Sequence, residues 1–446
     1  MKKFLVTMLL ICSVVTLFAN GAKETAAVAA TATVSQEEID QVGGKPFENT
    51  VKITFMNSKP EITEALEKGA KEFGEKFNVD IEIFETSSPV DAIAQRYAAG
   101  DAPTIILADN SNIRDLGGEK LADLSDEKWV SVGGESLGVV MNGKVYGMPV
   151  TVEATCLIYN KTAIEKITGR TFDPSEIATL ESFKALLAEL KAGGMEYPVV
   201  LNSEDWSIGQ KTYQWIYAYQ DGTQKGGMAF LKDVHDGKTT FEDNGVFNAF
   251  MDTFDVLVAN NINHNDPLAA DYDLNASYVA EGEAAFWLNG TWAWPDFEPY
   301  VTDDSEYGIM GIPLDGHEDV AGKAFGSATK YIGIDRINNT EEQQTAAKMF
   351  LNWLVFTDDG QSCLVNDCGI APAFTNITLE LTNPFNISLK SRIDDGELLE
   401  SASYLPSDHR STLAANFQAY VAGKSDRATT TTLLDNYWKN HLPTLL

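Results

Sequence analysis

Apolar and polar positions along this chain switch between two periods. Val51 to Phe55 reads as a strand. Ile62, Leu66, Ala70, Phe73 and Phe77 then recur at helical spacing, which predicts an amphipathic helix over Glu61 to Phe77. Val79 to Phe84 alternates as a second strand. Pro89 to Ala99 predicts a helix with Val90, Ile93, Ala94 and Tyr97 inward, and Thr104 to Ala108 a third strand. This βαβαβ order specifies a parallel sheet covered by helices. Ligands of such sheets sit beyond the carboxyl ends of the strands. Those ends are Asn57-Ser58, Thr86-Ser87-Ser88 and Asp109-Asn110. Small and polar, they suit a hydroxyl-binding rim, and equally turns and helix caps.

The same reading continues through the second half. Leu180 to Leu190 is a helix closed by Gly193-Gly194. Tyr197 to Leu201 is a strand that leads into Asn202-Ser203-Glu204-Asp205-Trp206. Helices follow over Tyr213 to Tyr219 and Phe247 to Asn260. Ala284 to Leu288 is a strand that runs into Asn289-Gly290-Thr291-Trp292-Ala293-Trp294. Tyr307 to Ile312 is another, and Lys323 to Ile334 reads as a strand returning to the first sheet. Glu341 to Thr357 is a strong helix, Gly369-Ile370-Ala371-Pro372 follows, and Leu398 to Leu446 is helical. Periodicity alone specifies an α/β chain of two domains, without an internal repeat.

Between these halves lies Gly143 to Lys161, GKVYGMPVTVEATCLIYNK. It reads as two short strands with a Gly-Met-Pro turn in the first part and one carboxylate, Glu153, between the runs. A charge inside a buried strand is costly without partners. Glu153 is therefore expected to face a wet cleft or to be a solvated edge-strand residue.

Composition narrows the classes. With 446 residues, 44% hydrophobic and 22% charged, the chain is globular and too long for one core. The formal charge of -32 repels phosphates and anionic membranes, so nucleic acid is not an expected partner. Lys2 and Lys3 precede an apolar run from Phe4 to Phe18, the pattern of a secretory signal. That run is short for a membrane span, which needs about 20 residues. Cys12 lies inside the run, so a lipid anchor is not expected. Ala22 to Gln41, rich in Ala, Thr and Glu, reads as a tether. Cys363 and Cys368 are close enough to pair in an oxidising compartment, though with Cys156 they also read as buried thiols. No zinc spacing, HExxH or P-loop motif occurs, and the five histidines are scattered.

The Gly143–Lys161 run resembles the first hinge of the extracellular solute-binding proteins of ABC transporters, the family that includes maltodextrin-binding protein. The "N-G-x-W-A" run at Asn289 to Ala293 and the "G-x-x-P" run at Gly369 to Pro372 extend the resemblance, which covers about Val51 to Trp438. It implies a two-lobe type II periplasmic-binding-protein fold, each lobe a mixed, mostly parallel sheet flanked by helices, with three hinge crossings. The implied organisation is a signal peptide over 1–19, a flexible tail over 20–47, one lobe from 48–152 plus 325–371, and another from 153–324 plus 372–446. The implied activity is capture of a sugar by hinge closure and delivery to a permease, in the periplasm, as a monomer, with no catalysis, cofactor or metal.

Sugar recognition stacks aromatic rings on pyranose faces and aims carboxylates and amides at hydroxyls. On the resemblance, Glu153 is the hinge carboxylate, Trp292 the stacking tryptophan, Asp109 with Asn110 the acid after the third strand, and Asn57-Ser58 the first polar loop. Trp206, Trp294 and Asn289 complete the expected ligand set. Lys59-Pro60 departs from the maltodextrin pattern, which puts maltose itself in doubt. Two other classes stay open here. A secreted glycoside hydrolase needs paired carboxylates about 5–10 Å apart. A ligand sensor presenting its closed form to a receptor would share this sequence.

Overall fold

The computed structural model describes residues 34–443 apart from 303 and 403. The expected signal peptide and the first part of the expected tail lie outside them. The strands are β1 (Val51–Asn57), β2 (Val79–Glu85), β3 (Ile105–Ala108), β4 (Val139–Met141), β5 (Lys144–Asn160), β6 (Val199–Val200), β7 (Phe286–Gly290), β8 (Tyr307–Met310), β9 (Phe325–Ile334) and β10 (Leu399–Glu400). They hydrogen-bond in the order β2-β1-β3-β9-β5-β7-β6, with β4 and β8 on β5 and β10 on β9. β1 is parallel to β2 and β3, as the βαβαβ pattern requires. β9 pairs antiparallel with both β3 and β5, and β7 and β8 pair antiparallel with β5, so the sheet is mixed.

The Gly143–Lys161 region is one 17-residue strand, not two. Its turn falls earlier than expected, at Asn142-Gly143, where φ is 51° and 74°. Asn-Gly is the pair that a tight hairpin between twisted strands favours. The expected Gly-Met-Pro turn is strand instead. Pro149 has no N–H to donate, and the pairing with β9 shifts register just after it.

β5 and β9 carry side chains into separate apolar groups. Met148, Val150, Ile332 and Ile334 pack with β1, β3 and the helix Glu341–Phe356. Leu157 and Phe325 pack with the helices Leu180–Ala192, Thr212–Ala218 and Gly245–Ala259. Between these groups the strands stay paired, Glu153 opposite Ser327. The Ala371 carbonyl joins them, accepting from Val152 N at 2.9 Å and Thr151 Oγ1 at 3.1 Å.

Two sequence expectations need correction. The tail expected through residue 47 contains a helix, Gln36–Val42, capped by the Ser35 hydroxyl. Val42 is fully buried, and its carbonyl accepts from Asn352 Nδ2 of the helix Glu341–Phe356. In the helix Pro89–Ala99, Ile93 faces the core, but Val90 is 54% exposed and Ala94 is exposed too. The helix touches the sheet along a narrower stripe than its apolar residues suggest. Cys156, Cys363 and Cys368 are buried free thiols.

Candidate functional site

The loop after β1 is built around two buried side chains. Asn57 donates to the Lys59 carbonyl and Thr63 Oγ1 and accepts from Lys59 N, each at 2.8 Å. The Asn57 carboxamide thus shapes the loop and is not offered to the cleft, which corrects its expected role. Lys59, 3% exposed, points its ammonium between Glu61 at 2.5 Å and Glu153 at 2.7 Å. Glu153, 6% exposed, also accepts from the Thr329 hydroxyl on β9. Burial alone would raise the Glu153 carboxyl, but the Lys59 ammonium outweighs it and holds the group below the usual carboxylate range. Burial would likewise lower Lys59, and Glu153 with Glu61 raise it instead. Glu153 is therefore a buried, paired acid, not a solvated edge residue.

A second ion pair lies beside the first. Asp109 follows β3 and forms a capping box with Asn112 at the start of the helix Asn110–Lys120. Lys330 of β9 donates to Asp109 Oδ1 at 2.8 Å and to Ser58 Oγ at 3.2 Å. Burial works to raise Asp109, and the Lys330 ammonium brings it below its ordinary value. Asn110, 9% exposed, begins the helix.

Aromatic rings come from the chain beyond β5. Trp292 and Trp206 meet edge to face at 6.0 Å, and Trp206 lies 5.9 Å from Tyr272. Asn289, 2% exposed, orients that tyrosine by donating to its hydroxyl at 2.9 Å. Gly290 lets the tryptophan fold back on the strand, because a Cβ there would lie 2.1 Å from Trp292 Cζ3. Trp206 and Lys211 sit on a π-helix, Asp205–Lys211, a rare form that recurs at functional sites. The Lys211 ammonium lies 5.0 Å from the Trp292 ring centroid. Burial lowers its pKa against the opposing pull of Glu153 and Asp109. Trp292 Nε1 is buried without a hydrogen-bond partner among the described residues.

These groups converge. A small pocket is lined by Lys59, Thr151, Glu153, Thr291, Trp292 and Pro295, with Cys368 and Asn386 among the others. Glu153 and Trp292 thus face one space. Trp294 does not, which corrects its expected place in the ligand set. It is 9% exposed and packs on Phe385 at 5.1 Å and Phe297 at 6.0 Å. The chain turns helical at Thr291–Ala293, so residues 292 and 294 leave on different faces. Sequence reading missed Lys59, Lys211, Tyr272 and Lys330. Lys330 carried a signal, a lone cation inside an otherwise uncharged strand. Lys211 carried none.

Comparison with known proteins identifies the fold and the family. The maltodextrin-binding protein MdxE of Bacillus subtilis (strain 168) is 26% identical over 357 residues, 77% of this chain and 76% of that protein. The solved structure of RafE in complex with raffinose superposes with a TM-score of 0.69 over 87% of this chain and 99% of that one, at 17% identity. A sugar transporter from Bacillus licheniformis, in complex with stachyose, gives 0.68 over 87% and 99%, at 18% identity. These structural likenesses show the two-lobe type II periplasmic-binding-protein fold. The family model described as bacterial extracellular solute-binding protein matches residues 68–386, and the chain belongs to that family.

Proposed function

We propose that this chain is the extracytoplasmic substrate-binding subunit of an ABC importer, exported by the signal over 1–19, that captures a mono- or oligosaccharide and passes it to a membrane permease. The observation that carries the reading is that Glu153 and Trp292 line one pocket. Rings at Trp292, Trp206 and Tyr272 offer stacking faces, while Glu153, Asp109, Lys59 and Lys330 offer charge-assisted hydrogen bonds. The proteins it resembles are named for maltodextrin or solved with raffinose and stachyose.

The lobes are 48–152 with 325–371 and 153–324 with 372–446. The hinge is the meeting of Thr151–Glu153 with β9 and Ala371. A sugar held by one lobe gains the other lobe's contacts only on closure, so its differential affinity drives the motion. The subunit works as a monomer in the periplasm, with no catalysis and no cofactor. A thermal-shift screen over mono- and oligosaccharides tests this, since a ligand of the native state raises Tm. At least one sugar is expected to raise it. Trp292→Ala and Glu153→Gln should each weaken its binding about tenfold or more, roughly the loss of one good contact. No shift with any sugar, or unchanged affinity in both variants, would overturn the reading. Products released from an oligosaccharide would overturn its non-catalytic part.

A further inference from the structure

The ionisable groups around the cleft are not all matched. Lys59 is shared by Glu61 and Glu153, Lys330 pairs with Asp109, and Arg410 pairs with Asp205 at 2.6 Å. Lys211 acts on Glu153 and Asp109. Asp296 and Glu204 are left over, both half-buried, with no ion-pair partner among the described residues. Asp296 sits on the helical turn Trp294–Phe297, packed against the turn Pro60–Ile62. The groups facing it are Glu61, Asp273, Tyr272 and Lys59, and this lysine is already held by two acids. Glu204 leads into the π-helix that carries Trp206; backbone N–H groups of Ser203 and of Glu204 itself donate to its carboxylate, while its Oε2 is buried without a hydrogen-bond partner among the described residues.

Asp296 lies on a turn packed against the helix Tyr272–Ala280, and Glu204 stands two residues before Trp206, which meets Tyr272, so both acids border the same aromatic corner as Trp206 and Trp292. A further unmet acceptor lies in that corner. Among the described residues Asn289 Oδ1 is buried without a partner, although its amide nitrogen holds Tyr272. Burial raises both acids, Asp296 to about 6 with Glu61 adding to it. A desolvated acid without a counter-ion is destabilising until a cation or donor arrives. Ring faces beside carboxylates form the setting in which proteins bind ammonium groups.

Resting on the sugar reading above, we infer that the ligand is an amino sugar, its protonated amine seated between Asp296 and Glu204 against the Trp206 and Tyr272 rings. Hydroxyl groups elsewhere on the same sugar then meet Glu153 and Lys59. A uronate or phosphorylated sugar would bring negative charge to two unpaired acids and is rejected.

The test is calorimetric titration of the full chain at about pH 6.5, where a carboxylate next to an amine is ionised. The titrants are a glucosamine tetrasaccharide, its N-acetylated counterpart and a glucose tetrasaccharide. The free-amine sugar is expected to bind about tenfold tighter than either neutral one, the effect of one charge-assisted contact. In Asp296→Asn, and in Glu204→Gln as an independent variant, that ratio should fall toward one. A neutral tetrasaccharide binding as tightly as the amine would overturn the amino-sugar assignment and leave sugar capture standing. Failure of all three, together with a silent thermal-shift screen, would overturn both.

Discussion

Lys59 Nζ and Glu153 Oε1 lie 2.7 Å apart, both nearly sealed from solvent, one on the loop after β1 and the other midway along β5. The pair ties the end of the parallel strands to the strand that runs between the two core groups. Its desolvation is offset by the Glu61 and Thr329 contacts that complete it.

Lys59→Met should therefore destabilise the fold strongly, by about 3–5 kcal/mol, because Glu153 would stay buried without its cation. Glu153→Gln should be milder, since Lys59 keeps Glu61. Denaturant titration of both variants checks the order. The pH dependence follows from Glu153 lying below its ordinary value in the fold. Its contribution is complete above the unfolded carboxylate pKa and is lost as pH falls through the lower folded value. Glu153→Gln should flatten that acidic limb.

The two neighbouring tryptophans should separate cleanly. Trp294→Ala removes a core ring and should lower stability by about 3–5 kcal/mol. Trp292→Ala, at the pocket, should act mainly on ligand affinity. Gly290→Ala should resemble Trp292→Ala in binding, because the new Cβ would displace the indole. Thermal melts together with sugar titrations distinguish the three variants.

Arg114 stacks its guanidinium 4.5 Å from the Tyr404 ring, outside the pocket. On the proposed division these residues belong to different lobes, so the contact exists only when the lobes are closed. An exposed cation–π contact is worth about 0.5–1 kcal/mol. Arg114→Ala should weaken sugar binding about two- to fivefold, mostly through faster release. Stopped-flow release rates and small-angle scattering of the sugar-free chain measure it.

His409 is buried against Tyr217, its Nε2 3.0 Å from the phenol oxygen. Burial, helped by His441, holds its pKa down at about 3. The unfolded chain binds a proton on this residue near pH 6.5 while the native one does not. Stability should therefore drop as pH falls from about 6.5 toward 3, by on the order of 5 kcal/mol in all from this residue. His409→Gln should flatten the slope over that window in urea titrations at stepped pH.

Local signals were legible where a segment's conformation depends on its own residues. The helix Pro89–Ala99 keeps its expected limits because Pro89 opens it and Gly100, at φ 75°, closes it. The βαβαβ order was readable for the same reason, since alternation and helical spacing are properties of neighbours along the chain. The apolar face of that helix was not fully readable. Val90 and Ala94 point away from a sheet whose reach only its partners define.

The site divides in the same way. Glu153 and Trp292 stood out as candidates, because a lone acid in a strand and an indole after Asn-Gly are locally anomalous. Tertiary structure alone decided that Glu153 is paired to a lysine 94 residues away, and that Trp294 turns into the core while Trp292 does not. A charge is tolerated by what surrounds it, and a ring's exposure is set by the elements packed on either side. Sequence order specified the strands and helices of this protein; only their packing chose which polar side chains meet.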